Sequence, residues 1–453
     1  MFCTAMNLVL LTPGTGSYHC GVCMRDNALA KELIRQGHRA IMLPMYLPLT
    51  LDESAASPET PIFFGGVSTY LREKVPLLRR MPRWLDRLLS HRSLLRLLAG
   101  KAAAKTGGPD VGELTLSMLR GEQGNQAAEI EQLIAWLREH GQPDAVWLST
   151  ALQAGLARRI KAALGVPVIG FLQGEDTFLD GLGAPWSAQA WALLAERMRD
   201  ADLWVAPSRY FADLMAQRLG WSAAESAHRS RIIPNGIPLD GYAPEFKIQN
   251  SEFKIPIIGY LARFVPGKGL GLLVEAFIAL KKRGRFPDAR LRCAGSMTEG
   301  DARYVATLQA RLAAAGVAGD TEWLPNVSRE EKIAFLESLT VFSVPATMSE
   351  AFGLYVIEAL AAGVPVVQPH ASAFPEIVAA TGGGVLLQPG ATEAESPERL
   401  ADMLETLLTD PQVAQTLGGL GRDAVRRDYT IARLAERLVA ATAGVKGESE
   451  SGK

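Results

Sequence analysis

The chain has 453 residues, 48% of them hydrophobic, with 47 Lys and Arg against 48 Asp and Glu for a formal net charge of −1. That length exceeds one ordinary core and implies two domains, while the near-zero charge excludes any global pull toward nucleic acid. No apolar run reaches the roughly 20 residues needed to span a bilayer, and four cysteines in such a chain do not make a disulfide framework, so a cytoplasmic, reducing setting is expected.

The opening Met1 to Asn7 lacks a basic leader and runs directly into a strand, Leu8 to Leu11, so no signal peptide is expected. A glycine-rich loop, Pro13-Gly14-Thr15-Gly16-Ser17, leads to a helix over Asp26 to Gln36, stopped by Gly37, and a second strand starts at His38. Cys20-Gly21-Val22-Cys23 beside His19 raises a metal or redox reading. Cys3 and Cys293 are distant and no further Cys or His pair has ligand spacing, so small residues packing a strand-to-helix turn are the preferred reading.

Residues 51–125 interrupt the pattern. Ten Lys or Arg between Arg72 and Lys105 face only Glu73 and Asp86, with Trp84, Leu85, Leu88, Leu89, Leu95 and Leu98 among them at near-helical spacing. A basic helix with one apolar face suits an anionic membrane surface; equally, it suits a helix packed on the sheet with its basic face in water. Pro76 and Pro82 break it into short pieces either way.

Alternation resumes with a strand at Asp144 to Ser149, a helix over Leu152 to Leu164 and a strand at Val166 to Phe171, which delivers Gln173-Gly174-Glu175-Asp176 at its carboxyl end. Glu175 and Asp176 are polar groups for a reaction centre or simply an acidic helix start. Asp200-Ala201-Asp202 has the D-x-D spacing of metal-dependent transferases. It precedes the strand Leu203 to Ser208 on the amino side, away from where ligands gather, so no metal site is expected there. A helix over Ser208 to Leu219 and a strand from Arg231 follow. The duplicated Glu-Phe-Lys-Ile at 245–248 and 252–255 reads as a polar linker.

A second alternating series begins at Ile257. Strand, basic loop and helix follow one another through Leu261, Arg263, Lys268 and Gly269, placing two cations at a strand's carboxyl end where a diphosphate needs a clamp. Further strands are read at Ala289 to Ala294, Thr321 to Leu324, Val341 to Val344 and Gly384 to Leu387, with helices over Asp301 to Ala315 and Arg329 to Ser338. Strands separated by helices imply a parallel doubly wound sheet. In Ser349 to Val367, Glu350 and Glu358 stand eight positions apart around the start of an amphipathic helix capped by Gly363, with Val364 to Val367 as the next strand. Free backbone N–H groups at Gly353 and Leu354, with the positive end of the helix dipole, would meet a phosphate or sugar there. A final helix starts near Tyr429-Thr430-Ile431, and residues 447–453 read as a polar, disordered tail.

The joint pattern of Glu350, Phe352-Gly353-Leu354, Glu358-Ala359, Ala362-Gly363 and Pro365-Val366-Val367 resembles the E-x7-E signature of the group 1 (family 4) retaining glycosyltransferases. The resemblance implies an α/β fold of the GT-B type: two Rossmann-like, doubly wound parallel-sheet domains facing a central cleft. The domains would span 1–245 and 246–428, with a helix over 429–446 crossing back. It implies a nucleotide-diphosphate sugar as donor, no metal and no separate cofactor. In the roles it carries over, Arg263 and Lys268 hold the diphosphate, Glu350 binds the donor sugar hydroxyls and Glu358 the ribose. Asn326 and Val327 lie on the loop that touches the base, and Phe352, Gly353 and Leu354 open the donor-side helix. Gly21 occupies the second place of the family's Gly-Gly pair near the diphosphate. Gln173 stands where the family commonly has a His; it cannot carry a proton at neutral pH, so Glu175 and Asp176 become alternative polar groups facing the reaction centre. The acceptor would be a sugar or a lipid-linked or membrane-proximal molecule, and the basic stretch 72–105 adds the expectation of a cytoplasmic protein that docks peripherally and reversibly on the inner membrane. A nucleotide-sugar 2-epimerase or a phosphorylase on the same frame stays open, as does a non-catalytic nucleotide-sugar-binding protein, for which Gln173 is the one supporting feature.

Overall fold

The computed structural model describes residues 5–14, 21–47, 49, 51, 53–57, 60–63, 109–243, 255–388 and 396–451. The basic stretch 72–105 and Cys20 lie outside the described residues. No helix among the described residues is long and apolar enough to cross a membrane.

The chain forms two compact units, Met1–Pro234 with Ile431–Lys453, and Asn235–Thr430. In the first, β1 (Asn7–Thr12), β2 (Arg39–Pro44), β3 (Ala145–Leu148), β4 (Val168–Phe171), β5 (Leu203–Ala206) and β6 (Ser230–Ile232) line up in the order β2-β1-β3-β4-β5-β6. Every pairing is parallel, with Leu8 opposite both Ala40 and Ala145. The central strands are unbroken apolar runs because helices cover both faces of such a sheet. The helix Gly21–Arg35 buries Leu29, Ala30 and Leu33 against it, and the final helix adds Leu434, Ala435, Leu438 and Val439 to the same core. That last helix is pinned by Trp147 Nε1 donating to Thr442 Oγ1 at 3.2 Å and by Lys446 pairing with Asp144 at 2.9 Å.

Two expectations are corrected here. The boundary expected at 245 falls between Pro234 and Asn235, because the next residues bond into the second unit: Ile237 N–H donates to the Tyr429 carbonyl, and the Ala243 carbonyl accepts from Arg422 and Arg426. The expected disordered tail is helical through Ser451, since the helix Ile431–Ser451 continues past Gly447. Adding residues to an established helix costs far less than starting one, so a polar end can remain wound.

In the second unit β7 (Ile257–Leu261), β8 (Arg290–Gly295), β9 (Thr321–Pro325), β10 (Val341–Phe342), β11 (Val366–Pro369) and β12 (Gly384–Leu387) are ordered β12-β11-β10-β7-β8-β9, again all parallel. The chain winds outward from β7 through β8 and β9, then returns to β7's other side with β10. Ligands of such sheets bind outside the strands' carboxyl ends at this reversal. The loops leaving β7 and β10 therefore border the ligand side of this sheet. The D-x-D segment, by contrast, sits at the amino end of β4 and β5, where Asp202 accepts from Val168 N–H at 2.8 Å and pairs with Lys161 at 2.7 Å.

Candidate donor and acceptor sites

The loop after β7 makes a short 3-10 turn, Pro266–Lys268, before the helix Leu270–Lys282. Gly269 closes that turn at φ 75°, and a Cβ there would lie 1.9 Å from the Pro345 carbonyl oxygen, so only glycine lets the loops after β7 and β10 come this close. They are also hydrogen-bonded, Thr347 and Met348 N–H both donating to the Gly267 carbonyl at 3.0 and 3.2 Å.

This approach brings Lys268 onto Glu350, 82 residues later, as an ion pair through Oε2. The Tyr355 hydroxyl donates to the same Oε2 at 2.7 Å, and Lys268 Nζ stands 5.7 Å from the centroid of the Tyr355 ring. Burial, reinforced by the Glu350 charge, pushes the Tyr355 phenol well above its ordinary pKa, so it remains a donor at neutral pH. Among the described residues no hydrogen bond reaches Glu350 Oε1. The Glu350 backbone is held as well, its N–H donating to Ser372 Oγ at 3.2 Å and its carbonyl accepting from Ala373 N–H at 3.3 Å.

Arg263, the other expected clamp residue, is 41% exposed and pairs with Asp301 at 3.3 Å. Asp301 is fixed by the turn it caps, accepting from Thr298 N–H and Oγ1 at 2.9 and 2.7 Å. The helix Leu354–Ala361 opens at Gly353, whose φ of 91° turns the chain into it. Phe352 is buried beside Tyr429, with ring centroids 6.2 Å apart. Glu358, on the same helix, pairs at 2.8 Å with Lys332 of the helix Arg329–Glu337. The two motif glutamates thus have different cations. Asn326, at φ 56°, uses its side chain to hold the Met297 backbone at 3.0 Å through both amide atoms, and Val327 packs half-buried against the core.

In the first unit, Gln173 and Gly174 turn the chain from β4 into the helix Glu175–Gly181. Glu175 is buried and accepts four hydrogen bonds: Oε2 from Gln173 and Gly174 N–H at 2.8 and 3.1 Å, Oε1 from Thr150 Oγ1 and Ala151 N–H at 2.7 and 2.8 Å. It ties the turn after β4 to the turn after β3. Burial raises its pKa in spite of these bonds. Asp176 is 5% exposed, and its Oδ1 has no hydrogen-bond partner among the described residues. Gln173 is half-buried, and Gly21 is the exposed first residue of its helix. At the reversal between β1 and β3, Asp26 accepts from Thr12 Oγ1 at 2.9 Å and from Ser149 Oγ, while buried Arg25 donates to its other oxygen and covers the Phe171 ring.

Sequence reasoning gave no role to Tyr355, Lys332, Asp301 or Asp26. Tyr355 carried one signal, a hydroxyl on an otherwise apolar helix face, which requires a partner when buried. Lys332 and Asp301 lie on separate elements and carried none.

Two parallel doubly wound units, with cations and a glutamate at the reversal of the second, place the chain in the two-Rossmann-domain GT-B class. Residues 243–423 match the model for glycosyl transferases group 1, and residues 101–240 match that for glycosyltransferase family 4. The chain belongs to this group 1, family 4 type of glycosyltransferase. It is similar to a GDP-mannose-dependent alpha-(1-6)-phosphatidylinositol monomannoside mannosyltransferase of Mycolicibacterium smegmatis, 28% identical over 235 residues, covering 49% of this chain and 57% of the relative. The match therefore spans little more than half the length of that curated relative. In fold the chain is similar to sucrose-phosphate synthase from Thermosynechococcus elongatus, with a TM-score of 0.68 at 17% identity over 97% of this chain and 99% of the other. Anabaena HepE in complex with UDP-glucose gives 0.62, also at 17% identity, over 97% and 99%.

Proposed function

We propose that the chain is a retaining, metal-independent glycosyltransferase that takes its sugar from a nucleotide-diphosphate donor. The observation that carries this reading is the meeting of Lys268 and Glu350 from the two loops that flank the reversal of the second sheet. A diphosphate leaving group needs positive charge where its own charge develops, and preorganised donors there lower the barrier. Lys268, Arg263 and the N–H groups that open the helix at Gly353 and Leu354 supply that charge without a metal. Both cations face carboxylates, so an entering diphosphate competes for cations already in place. Glu350 receives the donor sugar hydroxyls and Glu358 the ribose. The Asn326–Val327 turn lies by the base, and Gly21 is the first unit's phosphate-binding residue. Gln173 and Asp176 are the acceptor-side groups, with Asp176 the one able to hold a proton.

A lipid-linked acceptor is supported by the phosphatidylinositol monomannoside for which the Mycolicibacterium relative is named and by the basic stretch 72–105, which would bring a peripheral protein to an anionic surface. Incubating the protein with GDP-mannose, UDP-glucose and other nucleotide sugars, with and without acceptor, tests the reaction. Nucleotide release that depends on acceptor supports transfer; donor conversion with none present points to an epimerase. Location is tested by co-sedimentation with phosphatidylserine vesicles at low salt. Changing Arg79, Arg80, Arg83 and Arg87 to Glu should abolish binding, at about 1 kcal/mol per charge removed; unaltered binding would sink the membrane reading.

A further inference from the structure

Lys268 has two partners to serve in the proposed reaction. Once its ammonium turns toward a diphosphate, the ion pair that holds Glu350 is weakened, and a glutamate with three rotatable bonds loses one anchor at the moment it must present an oxygen to the sugar. The second anchor is Tyr355. Its hydroxyl meets Glu350 Oε2 at 2.7 Å, and its ring is wedged near Phe342 and Phe374, with centroids 6.2 and 6.4 Å away. A Tyr has two side-chain torsions, and here the ring is buried at 9% exposure, so the hydroxyl has little freedom to move. Its proton goes to Oε2, and no hydrogen bond from a described residue reaches Oε1.

We infer that Tyr355 is a positioning residue for donor-sugar recognition: it holds Glu350 by Oε2 so that Oε1 stays in place as the acceptor for a sugar hydroxyl while Lys268 engages the phosphates. This rests on the donor reading given above and assigns it a residue outside the E-x7-E glutamates and the basic loop. Tyr355 does not touch the sugar; it acts through Glu350. Its effect therefore separates the sugar from the nucleotide, since a bare nucleoside diphosphate has no group for Glu350 to bind.

The test is Tyr355→Phe, which keeps the ring, its packing and its place beside Lys268 and removes only the hydroxyl. Wild type and variant are titrated with GDP and GDP-mannose and with UDP and UDP-glucose, and melting temperatures are recorded. The expected result is unchanged affinity for the bare diphosphate and about tenfold weaker affinity for the nucleotide sugar, the scale of one hydrogen bond to a charged group. In a Glu350→Ala background the same change should add nothing, because the acceptor it acts through is already gone. Equal nucleotide-sugar affinity in wild type and variant overturns the inference. So does a parallel loss of both ligands with a lowered melting temperature, which would make Tyr355 a packing residue. If the wild type binds neither pair, the donor reading itself fails and this inference with it, an outcome distinct from failure in the variant alone.

Discussion

Glu350 and Glu175 occupy comparable places, each just beyond the carboxyl end of a parallel strand, yet they are held by opposite means. Glu350 faces an ammonium and a phenol and keeps one oxygen unengaged among the described residues. Glu175 faces three backbone N–H groups and one hydroxyl, with both oxygens used and, among the described residues, no cation paired with it. A lysine paired with a carboxylate can exchange that carboxylate for a ligand's phosphate, because the two contacts are of one kind, and the carboxylate is then left to accept from a hydroxyl. A carboxylate locked by fixed dipoles cannot exchange without leaving buried donors unsatisfied. The second unit's site is thus built to trade contacts, and the first unit's turn is built to stay.

The sharpest way to break this contrast is Lys268→Ala. Glu350 retains Tyr355, so the fold should survive with an unchanged circular dichroism spectrum, while kcat/KM for transfer drops by about 10²–10³-fold, the scale of losing a preorganised charge at a leaving group. Normal turnover would remove the basis for the donor reading. Glu175→Ala should instead act on stability. Four donors lose their acceptor at once, and the urea midpoint should report a loss of about 3 kcal/mol; a loss near zero would mean that water replaces the carboxylate freely. Gly269→Ala tests whether the trading site depends on the close approach of its two loops. A Cβ 1.9 Å from the Pro345 oxygen at positive φ should cost about 2 kcal/mol and lower donor affinity together.

The smallest expected effect lies far from both glutamates. Asp144 accepts the Asn7 N–H at 2.8 Å and pairs with Lys446, and these contacts, the backbone bond foremost, hold its carboxyl below the ordinary value. A lowered folded pKa gives stability that is present above the unfolded carboxylate pKa of about 3.9 and is lost as pH falls through the folded value. Asp144→Asn should therefore melt slightly below wild type at pH 7, and the gap should close as both are acidified below about pH 4. A gap that persists at low pH would assign the effect to shape and not to charge.

Much of the frame was legible without coordinates. Leu8 to Leu11, Val168 to Phe171 and Ile257 to Leu261 are continuous apolar runs, and runs of that kind between amphipathic helices have one stable arrangement, a covered parallel sheet. Gly353 and Gly363 marked the ends of the helix after Glu350 because local backbone chemistry decides where helices start and stop. Arg263, Lys268 and Glu350 were found as residue types at strand ends, which is a local property too. What only the tertiary structure decided is which of them meet. Lys268 pairs with Glu350 and not with Glu358, Lys332 takes Glu358, and Asp301 takes Arg263, because strand order sets β7 beside β10 and leaves separations of 82, 26 and 38 residues to be closed in space. The first unit's end at Pro234 and the use of the last helix to complete its core were likewise settled by long-range hydrogen bonds and packing. A sequence records which groups a segment offers; the fold determines the partner each receives, since partner choice depends on distances that no local pattern encodes.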